Sequence, residues 1–171
     1  MARRMRGNGE LTTDLVKGVI AGAAGTWAMD QVTQYMYSHE GPAAFLREKE
    51  AQVEGKYATT VLAEKAARLV GKQLTETRAE AVGLGIHWTT GALFGAAHSA
   101  LRSRVPVLGA GHGIVHGVVF WLLVDEAAKP LLGASAGPAE FPWQSHARGL
   151  AGHLVLGAVT DIVLDVLDQV V

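Results

Sequence analysis

Residues 109–126 read GAGHGIVHGVVFWLLVDE. The run is apolar enough to sit in lipid, yet it carries His112 and His116 and ends in Asp125 and Glu126. At about 100° per residue, His112, His116, Val119, Leu123 and Glu126 fall on one helical face. Gly109, Gly113 and Gly117 form a smooth stripe beside it. Such a stripe lets a second helix backbone approach closely, as helices do inside a membrane. Ionisable side chains on the packed side of a membrane helix are costly to keep and mark function. This stretch is therefore expected to be one helix of a membrane bundle with a polar interior.

Three further apolar stretches match it. Residues 18–37, GVIAGAAGTWAMDQVTQYMY, follow a basic leader containing Arg3, Arg4, Arg6 and Lys17. A positive start and a small-residue run also suit a secretory signal. The helical pattern continues through Asp30 and Gln34 to Tyr37, however, so a retained helix is expected, with Gly18, Gly22 and Gly25 as its packing face. Residues 81–101 place His87, Gly91, Phe94 and His98 on one face, and Gly91 and Gly95 make a close-packing pair. Residues 146–168 align His146, Gly149, His153, Gly157 and Thr160, with Asp161, Asp165 and Asp168 along the edge. Between the first and second stretches, residues 38–80 change to balanced charge. Gly41-Pro42 opens a short helix, Gly55 breaks it, and Val61, Leu62, Leu69 and Val70 recur at helical spacing until Gly71. Thr77 and Glu80 have capping-box spacing for the next helix.

Each apolar stretch is near the roughly 20 residues needed to cross a bilayer. The expected fold is all-α: a polytopic membrane four-helix bundle in a single domain of 171 residues, with spans at 18–37, 81–101, 107–126 and 146–168 and an extramembrane helical segment at 38–80. Basic residues precede the first span and, as Arg102 and Arg104, separate the second from the third. The positive-inside rule then puts both termini in the cytoplasm.

Composition excludes several classes. A formal net charge of −1 gives nucleic acid nothing to bind. With no cysteine there are no disulfides, thiolate metal sites or iron–sulfur clusters. No phosphate loop, dinucleotide fingerprint or nucleophile elbow occurs, and no catalytic residue is assigned. A non-enzymatic role is expected, with a small membrane haem or metalloenzyme subunit as the further alternative.

Depth sorts the remaining polar residues. His112 and Glu126 would lie about 21 Å apart along a helix, and His87 and His98 about 16 Å, so the interior needs two layers. Asp30, His87, Glu126 and His153, one per span, fall in the outer half. Imidazoles and carboxylates projecting inward from facing helices are how bundles hold metals, so these four are candidate ligands for zinc, iron or manganese. His98, His112 and Asp161 fall deeper, His116 lies between the layers, and these four are candidates for a proton path. The spacing of His112 and His116 suits one metal ion but offers no third ligand. A haem held by two histidines is the lesser cofactor alternative. The plain alternative for each histidine is an interhelical hydrogen bond. A different role, as an accessory subunit or homo-oligomer packed through glycine faces, stands beside the metal or proton reading.

Residues 18–37, the run REKEAQVEGKYA, GIHW, VDEAAKPLLG and FPWQSHARGLAGHLVLG together resemble the YagU-like family of small bacterial inner-membrane proteins. The likeness runs from about Lys17 to Asp165. It implies a helical protein of the bacterial cytoplasmic membrane and no defined activity. Asp30, His87, Asp125, Glu126, His146 and His153 lie within the matching motifs; His98, His112 and Asp161 lie outside them.

Overall fold

The computed structural model describes residues 8–170. Arg3, Arg4 and Arg6 of the basic leader lie outside the described residues. Helix α1 spans Asn8–Ser38. Gly41-Pro42 then starts α2, Pro42–Ala51, because proline tolerates the first helical position where its missing amide is not needed. A short 3-10 turn, Val53–Gly55, leads to α3, Ala58–Leu69. Gly71 then adopts φ 70° and releases the chain. Helix α4 covers Glu76–Arg102. Its cap is Thr75, with no side-chain capping bond, so the expected Thr77–Glu80 box lies inside the helix. After a 3-10 turn at Pro106–Gly109 come α5, Ile114–Trp121, a π-helical segment, Leu122–Ala128, and the single turn α6, Lys129–Leu131. Another 3-10 turn, Pro138–Glu140, precedes α7, Trp143–Val170. There is no strand among the described residues.

Helix α1 is the spine. It packs along α4 on one side and along α7 on the other, while α5 packs on α7 and α3 lies against α4. Glycine permits the closest of these approaches. A Cβ on Gly18 would stand 2.5 Å from the Ala96 Cα, and one on Gly95 would overlap the Gly18 carbonyl and the Gly22 Cα. The α5–α7 seam works the same way, with Gly117 against the His153 carbonyl and Gly157 against Gly113. The buried interior is correspondingly made of small groups such as Ala21, Thr26 and Thr160, with Leu156, Leu164, Met29 and Phe94 the larger apolar members. Many large apolar side chains point outward instead, among them Ile20, Trp27, Leu93, Leu123 and Ile162.

One expectation needs correction. Residues 107–126 are not one helix. Gly111, His112 and Gly113 have φ values of 65°, 54° and 78°, three left-handed residues in a row that turn the chain before α5 begins. Glycine adopts this conformation without penalty, and at Gly113 a side chain would also strike Gly157. His112 therefore sits in a turn and does not share a helical face with His116, and Gly109 and Gly113 do not continue the Gly117 stripe along a helix. Further on, the winding loosens into the π segment, which ends beside Pro130, a residue with no amide for the ladder. The apolarity of the spans is met in part. Of the four expected spans, α7 alone among the described residues is both long and apolar enough to cross a bilayer, with mean hydropathy 1.8. Helices α1 and α4 have the length but not the apolar window.

Candidate ligand cavity

Backbones α4 and α5 approach α1 and α7 closely but hardly approach each other. The gap between them is filled in one half by rings and left open in the other. The open half is a cavity of about 430 Å³. Its walls come from α1 (Thr26, Met29, Asp30), α4 (Ile86, His87, Thr90), the π segment (Val124, Asp125, Glu126) and α7 (Gly149, His153, Leu156). Glu48 of α2 and Tyr57, Thr59 and Leu62 at and within α3 contribute a roof from the charged segment. The size suits a small organic molecule, and an apolar lining with a few polar groups is the usual build of such sites.

All four outer-layer residues line this cavity. They do not close into one coordination sphere. His87 Nε2 bonds Asp30 Oδ1 at 2.9 Å. Glu126 Oε1 is 2.8 Å from His146 Nδ1, and His146 Nε2 is 3.0 Å from the Pro138 carbonyl. His153 Nδ1 lies 2.8 Å from the carbonyl of Gly149 and 3.6 Å from Asp125 Oδ2. That carbonyl is an acceptor, so Nδ1 carries the proton and Nε2 keeps its lone pair.

The deeper residues do come together. His98 Nε2 bonds Asp161 Oδ1 at 2.7 Å, with the His98 side chain fully buried. The His116 ring is stacked between Phe94, at 4.0 Å, and His98, at 4.4 Å. Phe120 continues the stack, 4.2 Å from Phe94 and 5.5 Å from His153. The rings thus run from the cavity wall to Asp161, with two phenyl groups between His153 and His116. Neither nitrogen of His116 has a hydrogen-bond partner, and His98 Nδ1 has none.

Ligand-type atoms of His112, Asp161 and Asp165 lie within 4.8 Å of one another, the one such triad among the described residues. The place of a cation there is already taken. Arg102 Nη1 is 3.1 Å from Asp161 Oδ1 and 2.7 Å from Asp165 Oδ1, and its other terminal nitrogen reaches Asp168. Lys17 Nζ adds a bond of 3.1 Å to Asp168. Burial works against the Arg102 charge, but hydrogen bonds to Asp165, Asp161 and Asp168 outweigh it and hold the guanidinium above the usual arginine range.

Several residues of the site carry no obvious mark in the sequence. Asp125 is bound to Lys129 at 2.6 Å with its side chain 18% exposed. Asp165 and Asp168 are half-exposed and tied to Arg102. Arg148 reaches Glu40 and Glu48, and Ser145 Oγ donates to Glu48 Oε2 at 2.8 Å. Glu48 looks like part of a solvated charged helix but is 5% exposed. The available signal was Arg148 itself, a guanidinium in the first turns of an apolar helix that needs a carboxylate within reach. Trp121 Nε1, also on the cavity wall, is buried with no acceptor.

Comparison with known proteins adds one finding. No curated protein and no solved structure matches the chain. Residues 63–162, more than half the chain and the stretch holding α4, α5, the π segment and most of α7, match the family described as Protein of unknown function (DUF1440), and the chain belongs to that family.

Proposed function

We propose that this protein is an integral membrane helix bundle that binds a small molecule in the cavity between α1, α4, the π segment and α7. The observation that carries this reading is the cavity itself, lined by apolar groups such as Met29, Phe120 and Leu156 and by Asp30, His87, Glu126 and His153 among other polar residues. The membrane part rests on where the large side chains point. Ile20 and Trp27 of α1, Leu93 of α4, Leu123 of the π segment and Ile162 of α7 are exposed, while much of the interior is alanine, glycine and threonine around a few larger groups such as Phe94, Leu156 and Leu164. In water, so much outward apolar surface would drive association. In hydrocarbon it is the favourable surface, and close glycine contacts hold the helices. The likeness to YagU-like inner-membrane proteins agrees with a bacterial cytoplasmic membrane. Cytoplasmic termini would place the cavity and its α2–α3 roof in the outer half.

The test uses the chain in lipid nanodiscs and a panel of neutral, cationic and anionic fragments read by thermal shift. Fragments are expected to stabilise the wild type and to lose that effect in Gly149→Leu, whose side chain enters between Trp121 and Asp125, and in Thr90→Leu on the opposite wall. Stabilisation that persists in both variants, or in neither protein, counts against the cavity.

A specific observation favours a second reading. His87 and His153 each spend one nitrogen, on Asp30 and on the Gly149 carbonyl, and keep the other. Outer-shell partners of this kind orient metal-binding imidazoles. A zinc, iron or manganese ion held with Asp30 and Glu126 then requires those side chains to leave their present pairs. Zinc-dependent stabilisation lost in His153→Ala would bring that reading forward. The accessory-subunit or homo-oligomer reading keeps fewer supports, since Gly18, Gly22, Gly95, Gly113, Gly117 and Gly157 are all spent on contacts within the chain.

A further inference from the structure

The cavity's unspent hydrogen-bonding capacity lies on one side. Thr26, Thr33 and Thr90 each donate their hydroxyl proton to a carbonyl of their own helix, at 2.8, 3.0 and 2.7 Å. Toward a ligand they offer lone pairs. His153 Nδ1 is committed to Gly149, so its Nε2 is an acceptor. The basic groups of the wall are occupied: Lys56 by Glu54 and Glu64, Arg148 by Glu40 and Glu48, Lys129 by Asp125. Two lining carboxylates, Asp30 and Glu126, have no ammonium or guanidinium partner among the described residues. Glu126 faces His146 through Nδ1, and the other ring nitrogen of His146 meets the Pro138 carbonyl, so this carboxylate is already held between two elements. Asp30 faces His87 through one oxygen and leaves Oδ2 unbonded. A carboxylate half-buried inside a helix bundle calls for a positive partner.

We infer that the ligand is a small organic ammonium ion: an N–H donor bound at Asp30 Oδ2, with an apolar body against Met29, Phe120 and Leu156. The inference rests on the cavity being a binding site and names what that site takes. An anion would meet Asp30 and a ring of lone pairs, with the Trp121 indole as the buried donor left free. A neutral ligand without an N–H donor would leave Asp30 Oδ2 unbonded, with His87 on Oδ1 as the one side-chain partner among the described residues.

Three probes of nearly one shape separate these cases: 2-phenylethylammonium, 2-phenylethanol and 3-phenylpropionate. Each is titrated calorimetrically into the full chain in nanodiscs, with empty nanodiscs as the control for partition into lipid. The ammonium probe is expected to bind at least ten-fold more tightly than the alcohol, and the carboxylate not to saturate. Asp30→Asn keeps the shape and the acceptor to His87. It should reduce ammonium binding at least five-fold and leave the alcohol unchanged; an equal loss for both probes means Asp30 acts only through the fold and overturns the inference. Equal binding of ammonium and alcohol, or preference for the carboxylate, overturns the inference and leaves the cavity standing as a site. Saturable binding of none of the three removes both.

Discussion

Asp161 shows how one residue ties the inner half together. Its Oδ1 accepts from His98 of α4 and from Arg102 at the end of α4, while the carboxylate is 5% exposed. Removing it leaves an imidazole and a guanidinium without their shared acceptor. Losing one partner of a buried ion pair typically costs about 3–5 kcal/mol, and Asp165 and Asp168 retain part of the Arg102 charge. Asp161→Ala is therefore expected to destabilise the chain by about 3 kcal/mol in detergent unfolding, while Asp165→Ala, half-exposed, shifts it by less than about 1 kcal/mol. Equal effects would mean that burial does not set the strength of this knot. The sequence placed His98, His112 and Asp161 in a deeper layer, His116 between the layers, and Asp30, His87, Glu126 and His153 in the outer half. The structure brings His98, His116 and Asp161 together and pairs Asp30 with His87, while Glu126 and His153 bond elsewhere. Helical periodicity supplies that much, because depth follows from residue count. It does not supply partners from elements whose position is unknown. Glu48 lies on a helix that reads as solvated, so nothing local announced its bond to Arg148 across 100 residues.

At the scale of elements, glycine decides which helices touch. A methyl group on Gly95 would overlap the α1 backbone at Gly18 and Gly22, and backbone cannot step aside as a flexible side chain does. Gly95→Ala is expected to lower stability by about 2 kcal/mol, the usual range for overpacking. Gly85, ten residues earlier on α4, has nothing within 4 Å. Gly85→Ala should be neutral or stabilise slightly, since alanine favours helix over glycine by about 1 kcal/mol. A melting comparison of the two variants checks the packing seam directly; similar losses at both sites would contradict it. The long helices were legible from apolar periodicity, and Gly41-Pro42, Gly55 and Gly71 marked their breaks. The third stretch misled for a physical reason. Histidines four residues apart with valine and leucine at helical spacing fit one continuous face, and that pattern masked the breaker content of GAGHG, three glycines in five residues. The π segment has no comparable signature. It changes which way Asp125 and Glu126 face, and so the cavity wall could not be drawn from spacing alone.

The helix contacts are made largely by small residues, with Met29, Phe94, Leu156 and Leu164 as the larger buried apolar groups, and many large apolar side chains lie on the outside. That arrangement gains little by burial in water and much by immersion in hydrocarbon. The ring stack of Phe94, His116 and Phe120 divides the interior into an open cavity and a closed charged knot. As long as the stack is packed, a proton has no hydrogen-bonded route from His153 to His116, because two phenyl rings intervene. Phe120→Ala is expected to open that division and raise proton leakage through proteoliposomes, read by a trapped pH dye; unchanged leakage would show that the deeper histidines do not communicate with the cavity.

The immersion of the four helical rods is the claim on which the rest depends, and cysteine labelling tests it most directly, because the chain has no cysteine of its own. Single cysteines at Leu93 and Ile162, both outward-facing in mid-helix, and at Leu69 and Val105, at the ends of the bundle, are exposed to a membrane-impermeant maleimide in intact cells. Positions 93 and 162 are expected to stay unlabelled until detergent is added, position 69 to label from outside, and position 105 to label only after the cells are opened. Ready labelling of positions 93 and 162 in the intact cell would contradict a lipid-facing surface, and with it the membrane bundle.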